Sequence, residues 1–164
     1  MRAAVIKTLP QGSFVNLLEN IGDYAVISTT DTKEAFVRNK FLSSKLANAD
    51  EASLRQRIIK NTKSYLGTQY RWGGKTHLGI DCSGLTFMAY RLCGINIWRD
   101  AHLKDGFAVK KIDALDAKPA DLIFFPGHVA ILLEDDRIIH SSDANGKVAI
   151  DNFKNNPTSF GSIF

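Results

Sequence analysis

Apolar and polar residues follow two different periods along this chain, and the period changes twice. Up to about residue 45, short apolar runs recur at 14–18, 24–28 and 34–37. Pro10, Gly12 and the Gly22-Asp23 pair punctuate them. Short runs bounded by turn residues predict strands. Over residues 48–66 the pattern is helical instead, with Leu54, Ile58, Ile59, Thr62 and Leu66 near one face. Asp50 is placed to cap this helix, Glu51 suits its first turn, and Gly67 ends it. A loop over 68–80 leads to Asp81, which can cap a second helix over 82–92. Leu85, Met88 and Leu92 form its apolar stripe, with Ala89 beside it. After about residue 110 strands return at 121–125, 128–133, 137–141 and 147–150. The turns between them, 134–136 and Asn145-Gly146, are short and polar, which predicts an antiparallel meander.

This order divides the chain into two expected domains. Residues 1–46 read as a small all-β barrel or meander, and residues 50–164 as an α+β domain in which helices precede strands. The linker over 43–50 is short.

Composition narrows the classes. Hydrophobic residues make up 45% of the 164, which argues against disorder. No apolar stretch approaches the roughly 18 to 20 residues of a membrane span. The formal net charge of +4 comes without a Lys/Arg tract, so nothing points to nucleic acid. The first residues lack the apolar core of a signal peptide. If the two cysteines, Cys82 and Cys93, share one helix, they lie roughly 16 Å apart along its axis. A disulfide needs Cα atoms within about 7 Å, so no pairing is expected, and Cys93 reads as a packing residue beside Gly94. The histidines and cysteines lack metal-ligand spacing, and no metal or cofactor is expected.

The chemistry gathers around Asp81-Cys82-Ser83-Gly84-Leu85. A cysteine at a helix N-terminus sits where negative charge is favoured, and the thiolate is the nucleophilic form. His128 opens a strand after Pro126-Gly127 and is the candidate general base. His140 lies on the next strand, with the midpoint of the two histidines at the turn near residue 134. They can therefore be neighbours across the pair, His140 orienting His128. Upstream, the glycines of Tyr70-Arg71-Trp72-Gly73-Gly74 can bring backbone close to a substrate. Asp81 and Ser83 flank the cysteine and can cap its helix. His77 and His102 match no role and read as surface residues.

Taken in order, Tyr70-Arg71-Trp72-Gly73-Gly74, Asp81-Cys82-Ser83-Gly84-Leu85, residues 120–125, His128-Val129-Ala130-Ile131 and residues 137–141 resemble the successive motifs of NlpC-type cysteine peptidases. These are papain-like bacterial enzymes of the cell wall. The resemblance spans about residues 58–153. It implies a Cys82-His128-His140 triad, with Tyr70 supporting the nucleophile or the oxyanion. Trp72 and Gly73 would shape the groove. The span from Val5 to Leu42 is similar to the later strands of a bacterial SH3-like domain whose usual opening strand is short or missing. That leaves two readings, a fragment or a misplaced start. In relatives with such a partner domain, residues matching Asp81 and Ser83 also hold a substrate's free α-amine. Tyr24 and Glu34 are the SH3-side candidates for the same contact.

The resemblance implies hydrolysis of murein stem peptides at the γ-D-glutamyl–diamino acid bond, with a free N-terminal L-Ala favoured. Three alternatives stand beside it: endopeptidase action on intact peptidoglycan, a non-catalytic murein-binding module, and a papain-like amidase or acyltransferase. The implied partners are stem peptides or muropeptides. The expected compartment is the cytoplasm, for peptide recycling, or the cell envelope if the start is truncated.

Overall fold

The structure is a computed structural model that describes residues 4–43, 49–153 and 157–164. The expected linker falls largely on residues 44–48, which lie outside the described residues. The chain forms two compact units, residues 1–46 and 47–164.

The first unit holds three antiparallel strands, β1 (Asn16–Ile21), β2 (Tyr24–Ser28) and β3 (Ala35–Arg38), in the order β1-β2-β3. Gly22 adopts φ +58° in the turn between β1 and β2, a conformation that costs glycine nothing. A bulge interrupts the register between Leu17 and Glu19. Ala25, Val26 and Ile27 are buried on the central strand, whereas Phe14, Leu17, Leu18, Phe36 and Phe41 are exposed. Among the described residues this is an open three-stranded sheet with β1 and β3 at its edges.

The second unit mixes helix and sheet. Helix α1 (Glu51–Lys63) starts at Asp50, whose carboxylate accepts the Ser53 N–H at 2.9 Å. A short hairpin, β4 (Lys75–Thr76) and β5 (Gly79–Ile80), delivers the chain to α2 (Cys82–Arg91). Six antiparallel strands follow: β6 (Lys110–Ile112), β7 (Leu122–Phe125), β8 (His128–Leu132), β9 (Arg137–Ser142), β10 (Lys147–Asn152) and β11 (Ser159–Ser162). Their order is β10-β9-β8-β7-β11-β6. The expected meander is β7 to β10. The edge β11-β6 was not expected, because Lys110-Lys111-Ile112 and Ser159-Phe160-Gly161-Ser162 carry little alternation. Packing selects that edge instead: a Cβ on Gly161 would lie 2.7 Å from Val109 and 2.9 Å from Leu103.

Strand alternation divides the apolar residues between two clusters. Leu122, Phe124, Val129, Ile131, Ile139 and Val148 pack with Leu85, Met88 and Ala89 of α2 and Ile58 of α1. Ile123, Ala130, Leu132 and Ile138 form a second cluster. Each such buried aliphatic side chain contributes about 1.5–3 kcal/mol. The meander holds α2, and α2 holds its first residue against the start of β8.

Candidate active site

Cys82 is the first residue of α2 and is 7% exposed. Asp81 caps the helix, its Oδ1 accepting the Gly84 N–H at 2.6 Å. Its Oδ2 accepts the Gly73 N–H at 2.7 Å, and the Asp81 N–H donates to the Gly74 carbonyl at 3.2 Å. The loop of Gly73 and Gly74 is thus fastened to the helix start. Two glycines permit this approach. A Cβ on Gly84 would lie 2.2 Å from the Gly74 oxygen, and one on Gly74 would lie 2.4 Å from the Gly79 oxygen. Gly74 thus approaches both the start of α2 at Gly84 and the hairpin at Gly79.

Burial pushes the Cys82 thiol above its ordinary value, and the Asp81 charge adds to this. Backbone hydrogen bonding from Val129 opposes the rise, so the sulfur lies within reach of the residue next to His128. His128, half-buried at the start of β8, is pushed down to about 4, first by burial and then by His140. Burial thus favours neutral thiol and neutral imidazole. This acts against the negative charge that the helix N-terminus favours.

His128 Nε2 lies 2.8 Å from His140 Nδ1, with the rings edge to face. Register explains how they meet. Ile131 pairs with Ile139 and Leu132 with Ile138, so the strands are offset by two residues from direct facing of 128 and 140. The histidines are diagonal neighbours, still within reach of long side chains. His140 Nε2 in turn lies 2.9 Å from Asp151 Oδ2, which also accepts Asn145 Nδ2 at 2.7 Å. These two contacts hold the Asp151 carboxyl below its usual range.

The Tyr70 phenol is pushed up by burial, then by the charges of Cys82, Asp81 and Asp143. It therefore stays a hydroxyl donor in the neighbourhood of Cys82. Its backbone is held by the Gly146 carbonyl at 2.8 Å. Trp72 is 84% exposed, on the turn that Gly73 closes with φ +75°.

Ser83 is buried beside Asp81, and both meet a residue that sequence reasoning missed. Arg99 Nη1 donates to Ser83 Oγ at 2.6 Å and lies 3.1 Å from Asp81 Oδ1. Arg99 Nη2 reaches Asp81 Oδ2 and the Gly74 carbonyl, each at 3.2 Å. A carboxylate offers about four lone-pair sites, and those of Asp81 are engaged by Gly73, Gly84 and this guanidinium. Arg99 follows Trp98 in a stretch without periodicity, which gave no signal. Asp151 carried one: it lies two residues beyond Ala149, which pairs with His140, so it shares that face of the sheet.

Tyr24 and Glu34 are exposed residues of the first unit, Tyr24 opening β2 and Glu34 preceding β3. His77 is exposed and stacks on the buried Tyr65 with ring centroids 4.0 Å apart. His102 is exposed and accepts the Trp98 Nε1–H at 3.0 Å. Cys93 is buried, with Asn61 Nδ2 3.3 Å from its sulfur. No helix among the described residues is long and apolar enough to cross a membrane.

Comparison with known proteins agrees on one family. Residues 67–159 match the NlpC/P60 family. Dipeptidyl-peptidase 6 of Lysinibacillus sphaericus is 42% identical over 117 residues, covering 70% of this chain and 43% of that protein. The gamma-D-glutamyl-L-lysine dipeptidyl-peptidase of Bacillus cereus is 37% identical over 103 residues, covering 57% of this chain and 30% of that protein. The crystal structure of an NlpC/P60 family protein from Bacillus cereus superposes with a TM-score of 0.75 at 25% identity, covering 89% of this chain and 52% of that one. The chain spans less than half the length of these two curated relatives.

Proposed function

This chain belongs to the NlpC/P60 family, and we propose that it is a cysteine peptidase that hydrolyses murein stem peptides at the γ-D-glutamyl–diamino acid bond. The observation that carries the reading is the 2.8 Å contact of His128 with His140 at the strand end that offers the Val129 amide to the Cys82 sulfur. That is the nucleophile, base and orienting group of acyl transfer. The names of the two relatives, both dipeptidyl-peptidases, support the choice of bond and a preference for a free N-terminal L-Ala.

The reaction runs in two halves. As the Cys82 sulfur adds to the γ-carbonyl carbon, its proton passes to His128. The carbonyl oxygen becomes an oxyanion, for which the Cys82 backbone N–H and the Tyr70 hydroxyl are the donors at hand. The intermediate collapses, the C–N bond breaks, and His128 returns the proton to the leaving amine of the diamino acid. Water then attacks the thioester, giving a proton to His128. The C–S bond breaks, His128 returns that proton to the departing Cys82 sulfur, and the γ-carboxyl product leaves, losing its own proton to solvent. The neutral resting pair makes His128 a working base at each attack.

Asp81 and Ser83 hold Arg99, so in this reading their part in amine recognition is indirect: they fix the loop of Trp72 and Gly73 that borders the cysteine. Tyr24 and Glu34 remain the first unit's candidates for the amine. Two measurements test the proposal. Cys82→Ala should abolish release of the diamino acid, and L-Ala-γ-D-Glu-diamino acid should turn over faster than its N-acetylated form. Unchanged hydrolysis in Cys82→Ala would overturn the chemistry, and equal rates on the two peptides would overturn the preference for a free amine.

A further inference from the structure

The neutral imidazole of His128 can serve as a base only if its proton sits on the nitrogen facing away from the thiol. Nε2 is the nitrogen that meets His140, which leaves Nδ1 as the nitrogen that must accept. His140 alone does not enforce this. A neutral histidine has two tautomers, one donating and one accepting at Nδ1. If His140 carried its proton on Nδ1, it would donate to His128 Nε2, and His128 would hold its own proton on Nδ1. That ring could not take a proton from Cys82.

Asp151 removes the ambiguity. An ionised carboxylate only accepts, and it lies 2.9 Å from His140 Nε2. The proton of His140 therefore belongs on Nε2, its Nδ1 becomes an acceptor, and His128 must donate from Nε2. We propose that Asp151 is a positioning residue of the site, a carboxylate two rings from Cys82 that sets the tautomers of both histidines and so leaves His128 Nδ1 free to act as the base. Its depressed pKa keeps it ionised through the neutral range. Asn145 does for Asp151 what Asp151 does for His140: its amide, 2.7 Å away, donates to the same Oδ2 and holds the carboxylate at the histidine. Two elements packed against His140 present titratable groups to it, β8 through His128 and β10 through Asp151. The carboxylate also stabilises positive charge as it develops along the pair, which a terminal neutral histidine does less well.

This rests on the proposed peptidase reading only in its kinetic part. The tautomers are legible without any substrate, by two-bond proton–nitrogen correlation spectra of the full chain with 15N-labelled histidine near pH 7.5. In the wild type both His128 and His140 should carry their protons on Nε2. Asp151→Ala should give His128 a population protonated on Nδ1. It should also lower kcat about tenfold with KM unchanged, a fraction of the roughly 10²–10⁴ that general base catalysis supplies. Asp151→Asn keeps an acceptor and should hold the Nε2–H form while losing less activity. Asp151 is half-exposed, so neither change removes core packing. A wild-type His128 protonated on Nδ1 overturns the proposal. So does an Asp151→Ala variant whose tautomers and kcat are those of the wild type. If the wild type fails to turn over murein peptides, the spectra still decide the role of Asp151, and only the substrate reading falls.

Discussion

Cys82 and Cys93 stand at opposite ends of α2, one opening it and the other just past its last turn. Both are buried, both are free thiols, and burial pushes both above the ordinary thiol value. Burial therefore does not separate a nucleophile from a packing residue. The neighbours do. Cys93 has the Asn61 amide against it. Cys82 has the Val129 amide, the Tyr70 phenol and the Asp81 carboxylate around it, at the strand end from which the His128–His140–Asp151 chain runs. The reactivity proposed for Cys82 rests on what the first turn of its helix is packed against.

The strongest way to break this comparison is to remove each sulfur in turn. Cys82→Ala should lower peptide hydrolysis by on the order of 10⁴-fold or more, as loss of a nucleophile does elsewhere. Cys93→Ala should leave kcat within about twofold and cost about 1 kcal/mol of stability, through the lost packing of one sulfur. Steady-state kinetics and thermal unfolding of the two variants check this. Comparable losses of activity in both would erase the distinction between the ends. Next comes His128→Ala, expected to cost roughly 10²–10⁴ in kcat while leaving Cys82 in place.

The end of α2 that carries Cys82 is fastened to its loop by Asp81 and Arg99, and that can be tested independently of chemistry. Arg99 pairs with Asp81 at 3.1 Å, and its loss leaves a largely buried carboxylate short of charge. Arg99→Met should destabilise by about 2 kcal/mol, in the range for hydrogen bonds to charged groups. It should also lower kcat/KM, because Gly74 and Ser83 lose their shared anchor. Arg99→Lys should recover part of the charge but not the fork that reaches Ser83 and Gly74 together. Gly84→Ala should cost about 1–3 kcal/mol, since its Cβ would lie 2.2 Å from the Gly74 carbonyl oxygen. Unchanged melting temperatures for both variants would show that the loop is not pinned here.

Most of this unit was legible in the sequence, and the gaps have physical causes. Asp50 and Asp81 announced both helix starts because a short carboxylate accepting N–H groups at the N-cap is a local signal. The strands β7 to β10 were legible from apolar runs and polar turns, including Asp135 and Asp136, both with positive φ. The hairpin arithmetic brought His128 and His140 together but put them face to face, because it took the turn as symmetric about residue 134. The register is offset by two. Asp151 needed the register of a second strand pair. Arg99 needed a long-range contact from an aperiodic loop, which no local pattern encodes. Gly161 was illegible because its role is the space its absent side chain leaves to Val109 and Leu103.

The subtlest expectation concerns the charge state of Cys82, and it separates the two cysteines again. Burial raises the Cys82 thiol above the ordinary 9.0 and lowers His128 from 6.5 to about 4. Between these limits the thiol keeps its proton and the imidazole stays neutral. In a Cys93→Ala background, where Cys82 alone reports, the rate constant for alkylation by iodoacetamide should climb steadily from pH 6 to pH 9. A plateau below pH 6 would reveal a preformed thiolate–imidazolium pair and reverse the assignment of the resting state. The stability of the fold follows from the same shift. The folded-state pKa of His128 is depressed, so between about 6.5 and 4 the unfolded chain binds a proton that the folded chain refuses. The contribution is complete above pH 6.5 and lost as the pH falls toward 4. His128→Gln should flatten that part of the melting temperature profile while leaving the alkaline side, where Cys82 titrates, sloping downward. A profile that kept its acid slope without His128 would move the titration to another group and take the neutral pair with it.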